Sequence, residues 1–182
     1  MDNKVASSYK TQILISIVVA IIVIALKVAR GPVEMATMAL GALLGTFLLD
    51  LEYFIHAYFF EPEAEFSVNL KAYIKHKDIF GTFKFIQYHK NELKDKALNS
   101  ALFQLILVGI VIYISYATTA YFIKAMAFSV YASSIYLMLE TYFQSGSGNE
   151  WFWALKSKPD KNGVIAYTFV LIAVLIFCLT IF

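Results

Sequence analysis

Five long apolar segments constrain the fold of this 182-residue chain more than any other feature. Each is long enough to cross the hydrocarbon core of a bilayer, which takes about 20 helical residues. The composition is far too apolar for a soluble domain, since 60% of the residues are hydrophobic and only 15% are charged. We therefore predict an all-α integral membrane protein, a single domain over residues 1–182. It is a bundle of about five transmembrane helices, at residues 11–29, 34–60, 99–117, 120–143 and 164–182.

The first of these segments lacks a small-residue cleavage site, so we interpret it as a retained helix and not as a signal peptide. Its Ile and Val residues cover all faces, which predicts a lipid-facing anchor with little chemistry. Basic residues set the orientation, because cytoplasmic flanks collect Lys and Arg. With a cytoplasmic N-terminus, every basic residue except Lys27, Arg30 and Lys124 lies inside. We predict a multi-pass protein of the cell (inner or plasma) membrane with its C-terminus outside.

Charge and cysteine content exclude several functions. The net charge of +2 is too small to indicate a nucleic-acid partner. The single cysteine, Cys178, cannot form an internal disulfide or contribute to a Cys–His zinc framework.

The only long polar segment lies at residues 61–98, between the second and third apolar segments. Its apolar residues recur at helical spacing and its lysines occupy other faces. This pattern predicts one or two amphipathic helices on the cytoplasmic membrane surface, broken near Asp78 and Gly81. The lysines would then contact anionic lipid headgroups. A plain connecting helix with a solvated basic face is an equal alternative.

Gly41 and Gly45 have the GxxxG spacing that lets a second helix backbone approach closely. We favour a contact between helices of the same bundle. A contact between two copies of the chain, giving a homo-oligomer, is the alternative.

Three acidic residues, Asp50, Glu52 and Glu140, lie inside or at the edge of apolar segments, where carboxylates are costly and usually functional. Glu52 shares a helical face with His56. On an ideal helix Asp50 points about 200° away from Glu52, so both reach one site only if the helix bends or unwinds.

The predicted topology brings these acids to the cytoplasmic end of the bundle. The polar pair Asn99 and Ser100, at the start of the third spanning segment, falls at the same end. Because the orientation was predicted from lysines alone, this convergence is independent support for one shared polar site on the inner side.

The order of these motifs from Gly41 to Trp153 resembles the membrane-bound, metal-dependent hydrolase-like family that LexA regulates in some bacteria (YdjM-like). The sequence motifs of that family resemble Pro-Asp-x-Asp-His, then His-Arg-Gly-x-Thr-His-Ser, then Ser-His-x-x-x-Asp followed by a glycine-containing loop. On this chain the motifs fall on residues 49–53, on residues 94–100, and on Ser134 to Glu140 at a one-residue offset. The acids are kept, whereas the family histidines are replaced by Tyr53, Asn99 and Tyr136.

The resemblance implies a role for each matched position. Asp50, Glu52 and Glu140 would be catalytic and would hold one divalent metal, with His56 as a further candidate ligand. Substrate would contact Asn99, Ser100, Tyr53 and Tyr136. The metal would be Mg, Mn or Zn, and an oxygen-rich ligand set suits the first two better than zinc.

Three functions follow from these observations. Because the histidines are replaced, we favour a degenerate family member that acts as a structural or interaction subunit. Its carboxylates would be hydrogen-bonded by Tyr53, Tyr136 and Asn99, and its partner would be another membrane protein or a second copy. The alternative is a divalent-metal-dependent hydrolase of lipid headgroups or phosphoesters at the cytoplasmic face. A proton or cation pathway ranks third, since the outer helix halves offer little polarity beyond Lys124.

Overall fold

The computed structural model describes residues 2–27, 31–89, 93, 96–117 and 120–181, with side chains described from residue 10 onward and not for residue 27. Every regular element within these ranges is a helix, which confirms the all-α class for this part of the chain. The elements are α1 (Asp2–Lys27), α2 (Pro32–Leu48), α3 (Leu51–Ile55), a π-helical turn (His56–Phe60), α4 (Glu65–Lys75), α5 (Ile79–His89), α6 (Ala101–Ala117), α7 (Tyr121–Ser145) and α8 (Lys161–Ile181).

Two helices among the described residues, α7 and α8, are long and apolar enough to cross a membrane. A third candidate is α2 together with its continuation through Phe60, although these two pieces meet at an angle of 47°. The apolar stretches Lys10–Leu26 in α1 and Ala101–Ala117 in α6 are shorter. The described part of the chain therefore contains two helices that could cross a membrane, or three with the bent pair, and the five-span arrangement stays a prediction.

Helix α7 forms the centre of the bundle. Its side chains are buried along most of its length, and α1, α2, α6 and α8 all contact it. The largest fully buried side chains of α7 are Tyr131, Phe128 and Met138. The hydroxyl of Tyr131 donates a hydrogen bond of 3.0 Å to the carbonyl oxygen of Leu171, which ties α7 to α8. By contrast, most of α8 faces outward, as expected for a helix that contacts lipid.

The most extensive helix contact, between α2 and α7, is built on small residues. A Cβ atom on Gly41 would overlap the carbonyl oxygen of Phe122, and one on Gly45 would overlap that of Met126. The hydroxyls of Thr46 and Ser129 are 2.8 Å apart in the same contact. The structure therefore places the GxxxG face against α7 of the same chain, which covers the surface that the homo-oligomer alternative would need.

The sequence predicted that α1 is a lipid-facing anchor, and this prediction is wrong because one of its faces is buried in the bundle. Gln12 and Ser16 are buried, and so are Val19 and Val23 one and two turns further on. This stripe packs α1 against α2 and α7, while Leu14, Ile21 and other apolar residues stay exposed. The uniform Ile and Val content of α1 hid the stripe, because its buried and exposed faces are equally apolar.

The polar segment at residues 61–98 contains α4 and α5, and the chain turns sharply between them. Lys77 has a positive φ of 57°, and the Asp78 side chain accepts a hydrogen bond of 2.8 Å from the backbone N–H of Gly81. The predicted break near Asp78 and Gly81 lies at this turn. A second, smaller core forms here from Tyr53, Ala57, Phe66, Leu70, Phe85, Ile86 and Leu93.

Candidate functional site

The site begins at the bend between α2 and α3. Helix α2 ends at Leu48, and the backbone N–H of Asp50 bonds the carbonyl of Phe47 at 3.0 Å, a tighter turn than an α-helix makes. The sequence predicted that Asp50 and Glu52 reach one site together only if the helix bends or unwinds. The bend is present, and both carboxylate residues are 6% exposed.

Glu52 is fully engaged with the segment that precedes α6. Its Oε1 accepts a hydrogen bond of 2.9 Å from the backbone N–H of Leu98. Its Oε2 accepts one of 3.1 Å from the backbone N–H of Asn99 and one of 2.7 Å from the Asn99 side-chain amide. Hydrogen bonds to a charged acceptor are about twice as strong as neutral ones, so Glu52 fixes the entry to α6.

Beside this anchor lies a cavity of about 450 Å³ at one end of the bundle. Asp50, Tyr53, Asn99 and Glu140, four residues singled out from the sequence, line it. Glu52 is absent from the lining and reaches the cavity only through Asn99. The volume is within the range of about 300–1,000 Å³ typical of small-molecule sites.

Several lining residues were missed by sequence reasoning. Gln12 of α1 and Gln87 of α5 are both buried in the cavity wall. Trp151 and Trp153 line it from the loop after α7. One sequence signal could have predicted that Gln12 lies at a polar site. Its amide stands next to a long apolar run, and a buried amide in a spanning helix usually has a polar neighbour.

The loop after α7 closes the cavity by bonding to the start of α6. The carbonyl of Trp151 accepts a hydrogen bond of 2.8 Å from the backbone N–H of Ala101. The indole N–H of Trp153 donates to the carbonyl of Lys96 at 2.9 Å. Lys158 donates to the carbonyl of Phe152 at 2.8 Å, which holds its ammonium beside the cavity that it lines.

Besides Glu52, three more predicted site residues lie outside the cavity lining. The Ser100 hydroxyl donates to the carbonyl of Ala97 at 2.6 Å and accepts from the backbone N–H of Phe103 at 3.2 Å, which is an N-cap of α6. Nε2 of His56 lies 4.0 Å from Glu61. Tyr136 is half-buried on α7 and is not part of the lining.

The metal prediction has limited support from this geometry. Within the described ranges, no group of three or more His, Cys, Asp or Glu residues is arranged to hold an ion. Both oxygens of Glu52 already accept hydrogen bonds from amides, and Asp50 and Glu140 remain as the buried or half-buried acids of the cavity. A divalent metal at Asp50, Glu52, Glu140 and His56 stays a prediction.

Comparisons of the chain with protein-family models, with curated proteins and with solved structures give no match. The resemblance to the metal-dependent hydrolase-like family, which covers residues 41–153, therefore remains a prediction.

Proposed function

We propose that the chain is a five-span protein of the cell membrane with its N-terminus in the cytoplasm and its C-terminus outside. The apolar stretches of α1 and α6 have 17 residues each. Such a helix is about 26 Å long, at the short end of what crosses a bilayer. An alternating path also explains the cavity, because its lining comes from connections and from the parts of the spanning segments that this path brings toward the cytoplasmic side.

Cysteine labelling from each side of the membrane tests this topology. Lys75→Cys and Ser147→Cys should react with a membrane-impermeant maleimide only after the cytoplasmic side is opened, whereas Val33→Cys should react in intact cells. The native Cys178 is fully buried and serves as the unlabelled background. Labelling of Val33→Cys only from the cytoplasmic side would contradict the proposed orientation.

We further propose that the protein is a structural or interaction subunit and not a hydrolase. The observation that carries this proposal is the set of three hydrogen bonds that Glu52 accepts from Leu98 and Asn99. A carboxylate has about four acceptor sites, so three accepted hydrogen bonds leave Glu52 little capacity for a metal ion. Asn99 occupies the position matched to a family histidine, and its side-chain amide donates a hydrogen bond to that carboxylate. The Glu52–Asn99 pair therefore stabilises the fold.

Elemental analysis of the detergent-purified protein by mass spectrometry tests this function. We expect no stoichiometric transition metal in the parent protein. Glu52→Gln should lower thermal stability without changing metal content, and Glu63→Gln, at an exposed acid, should change neither. About one equivalent of Mn or Zn in the parent that is lost in Glu52→Gln would contradict a subunit role and favour catalysis.

A divalent-metal-dependent hydrolase of lipid headgroups or phosphoesters is the second candidate. The cavity favours it, because Asp50, Glu140 and Asn99 come from three separate elements and line one space. Release of phosphate from phosphoester substrates in the presence of added Mn²⁺, abolished by Glu140→Gln, would support this candidate over the first.

We propose that α4 and α5 lie on the cytoplasmic membrane surface and contact anionic lipid. Large apolar side chains are exposed around this segment, with Phe59 at 80%, Phe80 at 91% and Ile79 at 67% exposure. Exposed lysines such as Lys75 and Lys84 lie on the same two helices. Apolar residues beside cations are typical of an interfacial helix. An environment-sensitive fluorophore at Phe80→Cys should shift to shorter wavelength more in anionic than in zwitterionic nanodiscs, and salt should reduce the difference.

A further inference from the structure

Two buried amide oxygens in the cavity wall have no hydrogen-bond donor among the described residues. They are Oδ1 of Asn99 and Oε1 of Gln12, in side chains that are 8% and 1% exposed. Chemistry fixes the orientation of Asn99, because the ionised carboxylate of Glu52 only accepts and so must face the amide nitrogen. An unsatisfied buried acceptor destabilises the protein, and a ligand that supplies a donor would remove this cost.

The charges around these oxygens indicate which donor suits the cavity. Asp50 is buried and Glu140 is half-buried, and both line the same cavity, so its lining presents carboxylates as well as amide oxygens. Trp151 contributes a buried ring to this wall. Acceptors, carboxylates and an aromatic ring together bind a cation that carries N–H groups.

The cavity lining also carries basic side chains, as well as the exposed acid Glu150. Lys96 and Lys158 both line the cavity, and Lys158 belongs to the same loop as the exposed Asn149 and Trp153. The backbone carbonyl that Lys158 bonds uses one of the three ammonium donors and leaves two for an anion. A ligand that matches both the acids and the lysines therefore carries a cation and an anion a few bonds apart.

We propose that this cavity binds a zwitterionic group with a primary ammonium at the amide oxygens and acids and a phosphate at the two lysines, namely phosphoethanolamine. A volume of about 450 Å³ suits an organic ligand of this kind better than a single ion. Phosphoethanolamine reaches a membrane protein either as a phospholipid headgroup or as a free metabolite. This inference rests on the proposed function, since it gives the subunit a ligand to recognise.

Tryptophan fluorescence measures the occupancy of this cavity directly. The chain has two tryptophans, and both line the cavity. The protein is purified in a maltoside detergent without amine or phosphate buffer and titrated with phosphoethanolamine. We expect a saturable change in emission. Phosphocholine is the matched control ligand, because it has the same charges but a quaternary ammonium without N–H donors. It should bind at least about tenfold more weakly, the equivalent of one lost hydrogen bond to a charged group.

A variant pair localises the binding. Gln12→Met removes one cavity acceptor at similar volume and should weaken phosphoethanolamine binding about tenfold. Gln144→Met, at an exposed amide outside the lining, should leave it unchanged. Equal binding of phosphoethanolamine and phosphocholine to the parent protein would overturn the assignment without relying on any variant. So would the absence of saturable binding, or a response to Mn²⁺ alone.

Nanodiscs distinguish the two sources of the group. If the headgroup of a lipid fills the cavity, discs that contain phosphatidylethanolamine should show the emission change and respond no further to the free compound. If the free compound is the ligand, it should still titrate in those discs. Mass spectrometry of the recovered ligand separates this inference from the proposed function. Cleavage to ethanolamine and phosphate would overturn the non-catalytic proposal and leave ligand recognition intact. A protein that contains no metal and binds no phosphoethanolamine would overturn ligand recognition and leave the non-catalytic proposal intact.

Discussion

The close approach of α2 to α7 predicts a specific sensitivity at Gly45. A methyl group there would overlap the carbonyl oxygen of Met126 and lie 3.0 Å from Cβ of Ser129. Since carbon atoms prefer separations of about 3.5–4.0 Å and the blocking atoms are backbone or Cβ, the helices must move apart by roughly 1 Å. We therefore expect Gly45→Ala to loosen the largest contact in the bundle.

The size of the effect follows from three contributions. Overpacking costs about 1–3 kcal/mol. Separation of the helices also weakens the hydrogen bond between Thr46 and Ser129, worth about 0.5–1.5 kcal/mol. Alanine returns up to about 1 kcal/mol through its higher helix propensity. The net loss is about 1–3 kcal/mol, which lowers the melting temperature of a chain of this length by roughly 2–12 °C.

Gly109 provides the matched control. It lies in α6, and a Cβ there would meet nothing within 4 Å, so Gly109→Ala should be neutral or slightly stabilising. The assay is thermal unfolding of both variants in the same detergent, followed by size-exclusion chromatography. Equal melting temperatures for Gly45→Ala and Gly109→Ala would refute the close contact with α7. A change of oligomer size without loss of stability would instead place the glycines between two copies of the chain.

Two hydrogen bonds between helices give further predictions for the same assay. Tyr131→Phe should lower the free energy of unfolding by about 0.5–1.5 kcal/mol, because it removes the hydroxyl that bonds the α8 backbone. Tyr113 is 71% exposed, so Tyr113→Phe should have no effect. Equal stability of the two variants would contradict the Tyr131 hydrogen bond. Lys124→Met should destabilise the α6–α7 pair by about 1–3 kcal/mol, because its buried ammonium bonds a carbonyl in the last turn of α6, 3.1 Å away. Lys156→Met removes an exposed lysine and should be neutral, so a similar loss in both lysine variants would argue against a specific role for Lys124.

The helices were largely predictable from the sequence, because their limits depend on local chemistry. Apolar runs separated by Gly31-Pro32 or by the polar loop after α7 define helices to within a few residues. Gly146 has φ 69° and ends α7, where a residue with a Cβ atom would be strained. Likewise, the π-helical turn that continues α3 ends at Phe60, two residues before Pro62, and a proline cannot continue a helix.

The walls of the cavity were only partly predictable, because they depend on contacts between distant segments. The convergence of Asp50, Asn99 and Glu140 followed from topology, since alternate helix ends lie on the same side. The position of Gln12 in the cavity wall depends on how α1 is rotated about its own axis. The uniformly apolar sequence of α1 does not predict this rotation. The position of Trp151 required the backbone bond to Ala101, between residues far apart in the chain.

The bend between α2 and α3 decides how the two neighbouring acids are used. On a straight helix Asp50 and Glu52 would point to opposite sides, and one carboxylate would face lipid at a high cost in free energy. The 47° change of direction buries both. Glu52 then takes the amide nitrogen of Asn99, which leaves the amide oxygen as the acceptor that the cavity wall presents beside Asp50. The two acids therefore have different places in the structure, since Glu52 orients the amide of Asn99 whereas Asp50 lines the cavity directly.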